Sequence, residues 1–119
     1  MRFAMLINDD PAARELAPAD IAAGMMRETY AWFDTWDAAG KIAEGGAQLQ
    51  HPRTARTIRA DEGGNAVVTD GPYLELKEVI GGVVFLHAAD LDDAVTVASS
   101  WPGLRRPGTS VEIRPVVEH

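Results

Sequence analysis

The chain has 119 residues, 46% of them apolar, and a net charge of −7. That length fits one domain, since domains most often hold roughly 100–150 residues, and the charge opposes a polyanionic partner, because nucleic-acid affinity comes from Lys and Arg neutralising phosphates. With no cysteine, disulfides, thiolate nucleophiles and cysteine metal sites are excluded.

From Phe3 to Ile7 the chain is unbroken apolar sequence, ended by the polar turn Asn8-Asp9-Asp10-Pro11. This pattern predicts a first strand buried on both faces. The segment is too short for a signal-peptide core and no other stretch approaches the ~20 apolar residues of a membrane span, so no membrane association and a cytoplasmic location are expected. From Pro18 to Ala39, Ile21, Met25, Trp32, Trp36 and Ala39 recur at helical spacing, widened by Met26, Tyr30 and Phe33. Asp20 in the first turn and Gly40 just beyond the end complete the first long helix.

Lys41 to Leu49 reads as a strand interrupted by Gly45-Gly46. Thr54 to Ala60 and Ala66 to Thr69 then flank Asp61-Glu62-Gly63-Gly64-Asn65, a loop of hairpin length. Arg53, Arg56 and Arg59 form a short basic run there, but strand residues alternate faces and a solvated surface is expected. Glu78 to Ala88 is the next strand, with Val83/Phe85/His87 on one face and Val84/Leu86/Ala88 on the other. Leu91 to Trp101 predicts a second helix with Asp90 as N-cap and Val95 and Ala98 inward, stopped by Pro102-Gly103. Thr109 to Val116 closes the chain as a strand alternating Val111/Ile113 with Ser110/Glu112/Arg114.

The order strand, helix, strand, hairpin, strand, helix, strand is a split βαβ plan, predicting a ferredoxin-like α+β domain over residues 1–119 with an inserted β-hairpin. Two helices cover one face of such a sheet. Phe3–Ile7 and Val83–Leu86 carry apolar residues for both, so a second copy is expected to cover the other face. A lone domain of this size buries somewhat under ~70% of its unfolded surface, which also favours association.

The segment Asp70-Gly71-Pro72-Tyr73-Leu74-Glu75-Leu76-Lys77-Glu78, with Gly81-Gly82 in register after it, gathers a phenol, an ammonium and three carboxylates beside a turn. Proline removes a backbone donor and holds Gly71 extended, while Asp70 is expected to accept from the backbone beyond it. The segment resembles the D-G-P-[FY]-x-E-x-K-E-x-x-G-G signature of YCII-related proteins of the DGPF type. That resemblance implies a dimeric α+β barrel, and it extends from the first strand to Arg114-Pro115-Val116. Better-studied YCII-type relatives are associated with a proposed catalytic His–Asp pair whose histidine lies on the first helix. Counting back from Gly40 places Thr29 there, so no histidine base is carried over.

If the turn aims Asp70 and Tyr73 at a cleft, Glu75, Lys77 or Glu78 beside them are able to bind a polar substrate or shift one another's pKa. Gly81-Gly82 at the start of an apolar strand marks a bulge or a close approach of backbone or ligand. Gly45-Gly46, preceded by Glu44, resembles the family's second glycine-bearing strand and lacks the following helix and Lys-Ser/Thr of a phosphate loop. Thr29 and Trp32 lie on the helix stripe, where back-bonding and core packing compete with pocket lining. His51, His87 and His119 show no metal-ligand spacing, so no metal or other cofactor is expected.

Two functions follow. The first is a homodimeric, small-molecule-binding accessory or regulatory protein with an unidentified small polar ligand and no contact with nucleic acid. Some members of the family are linked to alternative sigma-factor systems. The alternative is a cofactor-independent isomerase, lyase or oxygenase, in which Asp70 or Glu44 is proton acceptor and Lys77 or Tyr73 its electrostatic partner. A closed cleft holding these groups against apolar walls favours catalysis; an open, solvated cluster favours the first reading.

Overall fold

A computed structural model describes residues 1–16, 18–71 and 79–119. Alternation begins in β1 (Arg2–Asp9), whose odd positions Phe3, Met5, Ile7 and Asp9 are buried while the even ones are half-buried. The two-sided burial expected of this strand is therefore one-sided. β5 (Val79–His87) pairs antiparallel beside it, aligning Phe3 with Leu86 and Met5 with Val84, and β6 (Ser110–Pro115) pairs on the other side, aligning Met5 with Ile113. With β2 (Ile42–Gln48) against β5, the antiparallel order is β2-β5-β1-β6, compatible with a ferredoxin-like α+β fold. A separate antiparallel ribbon, β3 (Arg56–Ala60) and β4 (Ala66–Asp70), lies between β2 and β5 in the chain and pairs with neither.

One face of the sheet carries the helices α2 (Ala19–Ala38) and α3 (Leu91–Ser99). Phe3, Met5, Leu86 and Val97 are fully buried there, each worth roughly 1.5–3 kcal/mol of transfer free energy. From α3, Ala94, Val97 and Ala98 point inward and Val95 is exposed. Val95 was expected inside; the i, i+3, i+4 stripe runs through Ala94 instead and leaves Val95 about one residue's rotation away. Asp90 does cap this helix, its Oδ1 accepting the Asp93 N–H at 2.8 Å. Gly40, at φ 75°, ends α2 as expected: the Gly40 N–H donates to Asp37 and the Lys41 N–H to Trp36, the paired bonds of a Schellman motif.

Three short elements were not expected. α1 (Pro11–Glu15) starts where Asp10 Oδ1 accepts from Ala12 and Ala13, an Asp N-cap followed by proline at the first helical position. The other two are the 3-10 turns Pro52–Thr54 and Pro102–Arg105. Among the described residues no helix is long and apolar enough to cross a membrane.

Lys41 ties the layers together, its ammonium 2.7 Å from Asp93 Oδ2, which also accepts the Ala89 N–H at 2.9 Å. The Lys41 hydrogen bond, then the Ala89 N–H, hold the Asp93 carboxyl below its ordinary value of 3.8. A depressed folded-state pKa stabilises at pH above the unfolded value, and the contribution disappears as pH falls through the folded value. Asp93→Asn is therefore expected to melt lower than wild type at neutral pH, with the gap closing in melts recorded below the carboxylate range. A gap that widens in acid contradicts the assignment.

Candidate functional site

Only the C-terminal part of α2 seats firmly on the sheet. Trp32 is buried and Trp36 half-buried, whereas Ile21, Met26 and Tyr30 are exposed, although the helical spacing placed all of them on one stripe. The reason lies opposite: beneath the first turns of α2 the sheet presents glycines. Gly81 is the extra residue of a bulge, since Ile7 pairs with Gly82 while Asn8 pairs with Ile80. A second irregularity sets Glu44-Gly45-Gly46 against Val84, between the Ala43/Phe85 and Ala47/Val83 pairs. Gly46 packs so closely on β5 that a Cβ there would lie 2.8 Å from the Val83 carbonyl oxygen. Both glycine pairs thus mark bulges, one of the two alternatives expected of Gly81-Gly82.

Removing side chains from the sheet leaves a hollow of about 450 Å³ under α2. Gly46, Gly81 and Gly82 form its floor, and Ile7, Met25, Phe33 and Trp101 its apolar walls. Thr29 lines it too, but its hydroxyl donates to the Met25 carbonyl at 2.9 Å, the helical back-bond expected of it. Asp9, 8% exposed, is the buried carboxylate of the cavity. Its Oδ1 accepts from Thr109 Oγ1 at 3.4 Å. Arg106 and Gln48 add polar groups to the lining.

The other sequence candidates lie elsewhere. Trp32 belongs to the core, edge-on to Phe33 and Trp101, with its Nε1 donating to Ser100 Oγ at 2.9 Å. Gly45, at φ 104°, sits over the Phe85 ring outside the cavity lining. Glu44 is exposed, and its backbone carbonyl accepts from Arg2. Asp70 ends β4 with its carboxylate 90% exposed and paired with Arg56 at 3.0 Å. Gly71 has φ 84° where an extended backbone was expected, because glycine lacks the Cβ that bars other residues from this region. Its N–H donates to Ala55, binding the turn to the start of the ribbon. Tyr73, Glu75, Lys77 and Glu78 fall outside the described residues.

Neither Asp70 nor Glu44 lines the cavity. The carboxylate that does, Asp9, stands in the sequence inside the polar stretch Asn8-Asp9-Asp10-Pro11 that predicts a turn. Its signal was the strand period: Phe3, Met5, Ile7 and Asp9 share one face when the alternation is carried two residues past the apolar run. Among the described residues no three His, Asp or Glu side chains are grouped to hold a metal. His51 instead stands 2.9 Å from Glu15, and its Nδ1 accepts from the Arg53 N–H.

The model of the YCII-related domain matches residues 1–119. An uncharacterized protein of Rhizobium meliloti (strain 1021) is 28% identical over 116 residues, which cover 98% of this chain and 92% of that protein.

Proposed function

The chain belongs to the YCII-related family, and from that premise we propose that it is a small-molecule-binding accessory or regulatory protein whose ligand occupies the cavity under α2. The observation that carries this reading is the cavity itself. At about 450 Å³ it falls in the ~300–1,000 Å³ range of small-molecule sites, and it combines apolar walls with few polar groups, as such sites do. The regulatory part, including a connection to an alternative sigma-factor system, draws its support from the DGPF-type resemblance and from an acidic surface that opposes direct DNA contact.

A thermal-shift screen of the intact protein against a metabolite library tests the reading, with Thr29→Phe as the variant that fills the cavity. A ligand at 100 times its Kd stabilises by about 2.7 kcal/mol. Hits are expected to raise the melting temperature of wild type and not of Thr29→Phe. Equal shifts in both proteins place the ligand elsewhere.

A catalytic reading has one observation behind it, the buried Asp9 carboxylate against apolar walls. In that case Asp9 is the proton acceptor, and Asp9→Asn lowers turnover by ~10²–10⁴ while Asp70→Asn and Glu44→Gln do not.

We also propose a homodimer through the uncovered sheet face. There Ala4 lies beside Phe85 and Leu6 beside Val83, half-buried on the face turned away from α2 and α3. Ile58 and Val68, cross-strand neighbours on the ribbon, are likewise exposed, and an isolated two-stranded ribbon is marginal in water. The radius of gyration, 16.3 Å, exceeds the ~13.5 Å of a compact chain of this length. Sedimentation at micromolar concentration is expected to give the dimer mass for wild type and the monomer mass for Phe85→Glu. A monomeric wild type overturns the arrangement.

A further inference from the structure

The loop after α3 carries two adjacent arginines beside α2, and the chain supplies an acid for one of them. Arg105 is paired with Glu28 of α2, and its guanidinium also reaches the Met25 sulfur at 4.0 Å. Arg106, the next residue, is half-buried and lines the cavity, and among the described residues no carboxylate pairs with it. Its backbone is fixed on both sides. The Arg106 N–H donates to the Gly103 carbonyl at 3.0 Å, its carbonyl accepts the Thr109 N–H at 3.3 Å, and Pro102 and Gly103 at the start of the loop are buried. The residue is thus placed before any guest arrives.

Among the described lining residues Arg106 is the one cation, and the other two ionisable groups are differently engaged. Tyr30 is 64% exposed and stands at the rim. Asp9 has its partners within the protein, the Thr109 hydroxyl among them. A partly desolvated guanidinium without a counter-ion is costly, and a carboxylate or phosphate satisfies it best, through two parallel hydrogen bonds. The rest of the lining sets the remainder of the guest. Met25, Phe33 and Trp101 offer polarisable sulfur and aromatic faces, which suit a flat or branched hydrocarbon group.

Resting on the reading of the cavity as a ligand site, we propose that its ligand is an amphipathic monocarboxylate. The carboxylate of this small organic acid is held by Arg106, and its aromatic or branched hydrocarbon body lies among Met25, Phe33 and Trp101. A carboxylate is favoured over a phosphate ester because a second negative charge meets no further cation in the described lining and shares the cavity with Asp9. The net charge of −7 is spread over the chain, and salt screens exposed charges beyond ~8 Å. The head group is therefore governed by the groups that line the cavity.

Calorimetric titration of the intact protein with three probes sharing one apolar body tests the head group. The probes are 3-phenylpropionate, its uncharged amide 3-phenylpropanamide, and 2-phenylethyl phosphate. The carboxylate is expected to bind about tenfold or more tighter than the amide, the scale of one charged hydrogen-bonded contact, and no more weakly than the phosphate. Arg106→Gln is expected to bring the carboxylate to the affinity of the amide without changing the latter, and Arg106→Lys, which keeps the charge and loses the planar fork, to retain part of the preference. Thr29→Phe is expected to abolish binding of both. Equal affinity for carboxylate and amide overturns the head-group assignment and leaves the cavity as a ligand site. A tighter phosphate overturns the choice of carboxylate. Loss of the amide along with the carboxylate in both Arg106 variants makes Arg106 a packing residue, and carboxylate binding that survives Thr29→Phe places the anion outside the cavity; either result overturns the proposal. Binding of none of the three also overturns it, and the metabolite screen then judges the cavity separately.

Discussion

Trp32→Ala is expected to destabilise the protein by about 3–5 kcal/mol, the usual cost of removing a buried tryptophan. Native domains have only ~5–15 kcal/mol in total, so a substantial unfolded fraction follows at ambient temperature. Trp32 is 5% exposed, and its ring meets Phe33 at 5.1 Å and Trp101 at 4.9 Å, both edge-on. Its Nε1 and that of Trp36 both donate to Ser100 Oγ, at 2.9 and 3.0 Å, while the Ser100 hydroxyl donates to the Val97 carbonyl. One hydroxyl therefore joins α2 to the end of α3. Ser100→Ala leaves the Trp32 N–H without its partner and is expected to cost ~1–3 kcal/mol. Urea denaturation of Trp32→Ala, Ser100→Ala and wild type should rank them in that order of increasing stability. A Trp32→Ala midpoint near wild type would remove this residue from the core.

The second large effect is expected at Gly46. Its missing Cβ would sit 2.8 Å from the Val83 carbonyl oxygen and 3.3 Å from Val84 Cα. Both are backbone atoms, so no rotamer change relieves the clash and β2 must separate from β5. Gly46→Ala is expected to cost at least the ~1–3 kcal/mol of an overpacked core and to distort the cavity floor. Gly82→Ala is the control, because its nearest contact is 3.4 Å, to the Ala47 carbonyl oxygen. Melts and ligand titrations of the two variants should show the greater loss at Gly46. The reverse ranking is incompatible with the close approach of the two strands.

β1 was legible as the unbroken apolar run Phe3–Ile7, though not the one-sided burial it adopts, and α2 was legible because Met25, Trp32 and Trp36 recur with the helical period. Capping was equally legible at Asp90 and Gly40, where side-chain chemistry or backbone freedom acts locally. What failed was non-local. Val95 exchanged places with Ala94 because orientation depends on where the helix lands on the sheet. Ile21 and Tyr30 stayed outside because the sheet below them is built of glycine, and a stripe pattern does not register what its partner lacks. Asp9 was obscured by its neighbours Asn8 and Asp10, which made a strand continuation resemble a turn. The charged segment that begins at Asp70 lies largely outside the described residues, while the cavity is lined mainly by residues with no charge at all.

The unequal seating of α2 makes the helix a cantilever. Its far end is clamped by the Trp32–Ser100–Trp36 bonds, the Schellman turn and the Lys41–Asp93 tie. Its near end overhangs the hollow. A guest entering beneath the overhang meets Met25 and Thr29 before any clamped residue. Between the two ends, exposed contacts of Arg105, to Glu28 and Met25, hold this part of the helix. Resistance to backbone hydrogen exchange should rise along α2 from the overhanging end to the clamped one, the graded profile expected where stability varies along an element. A guest that fills the hollow turns the overhang into a beam supported at both ends and levels that gradient.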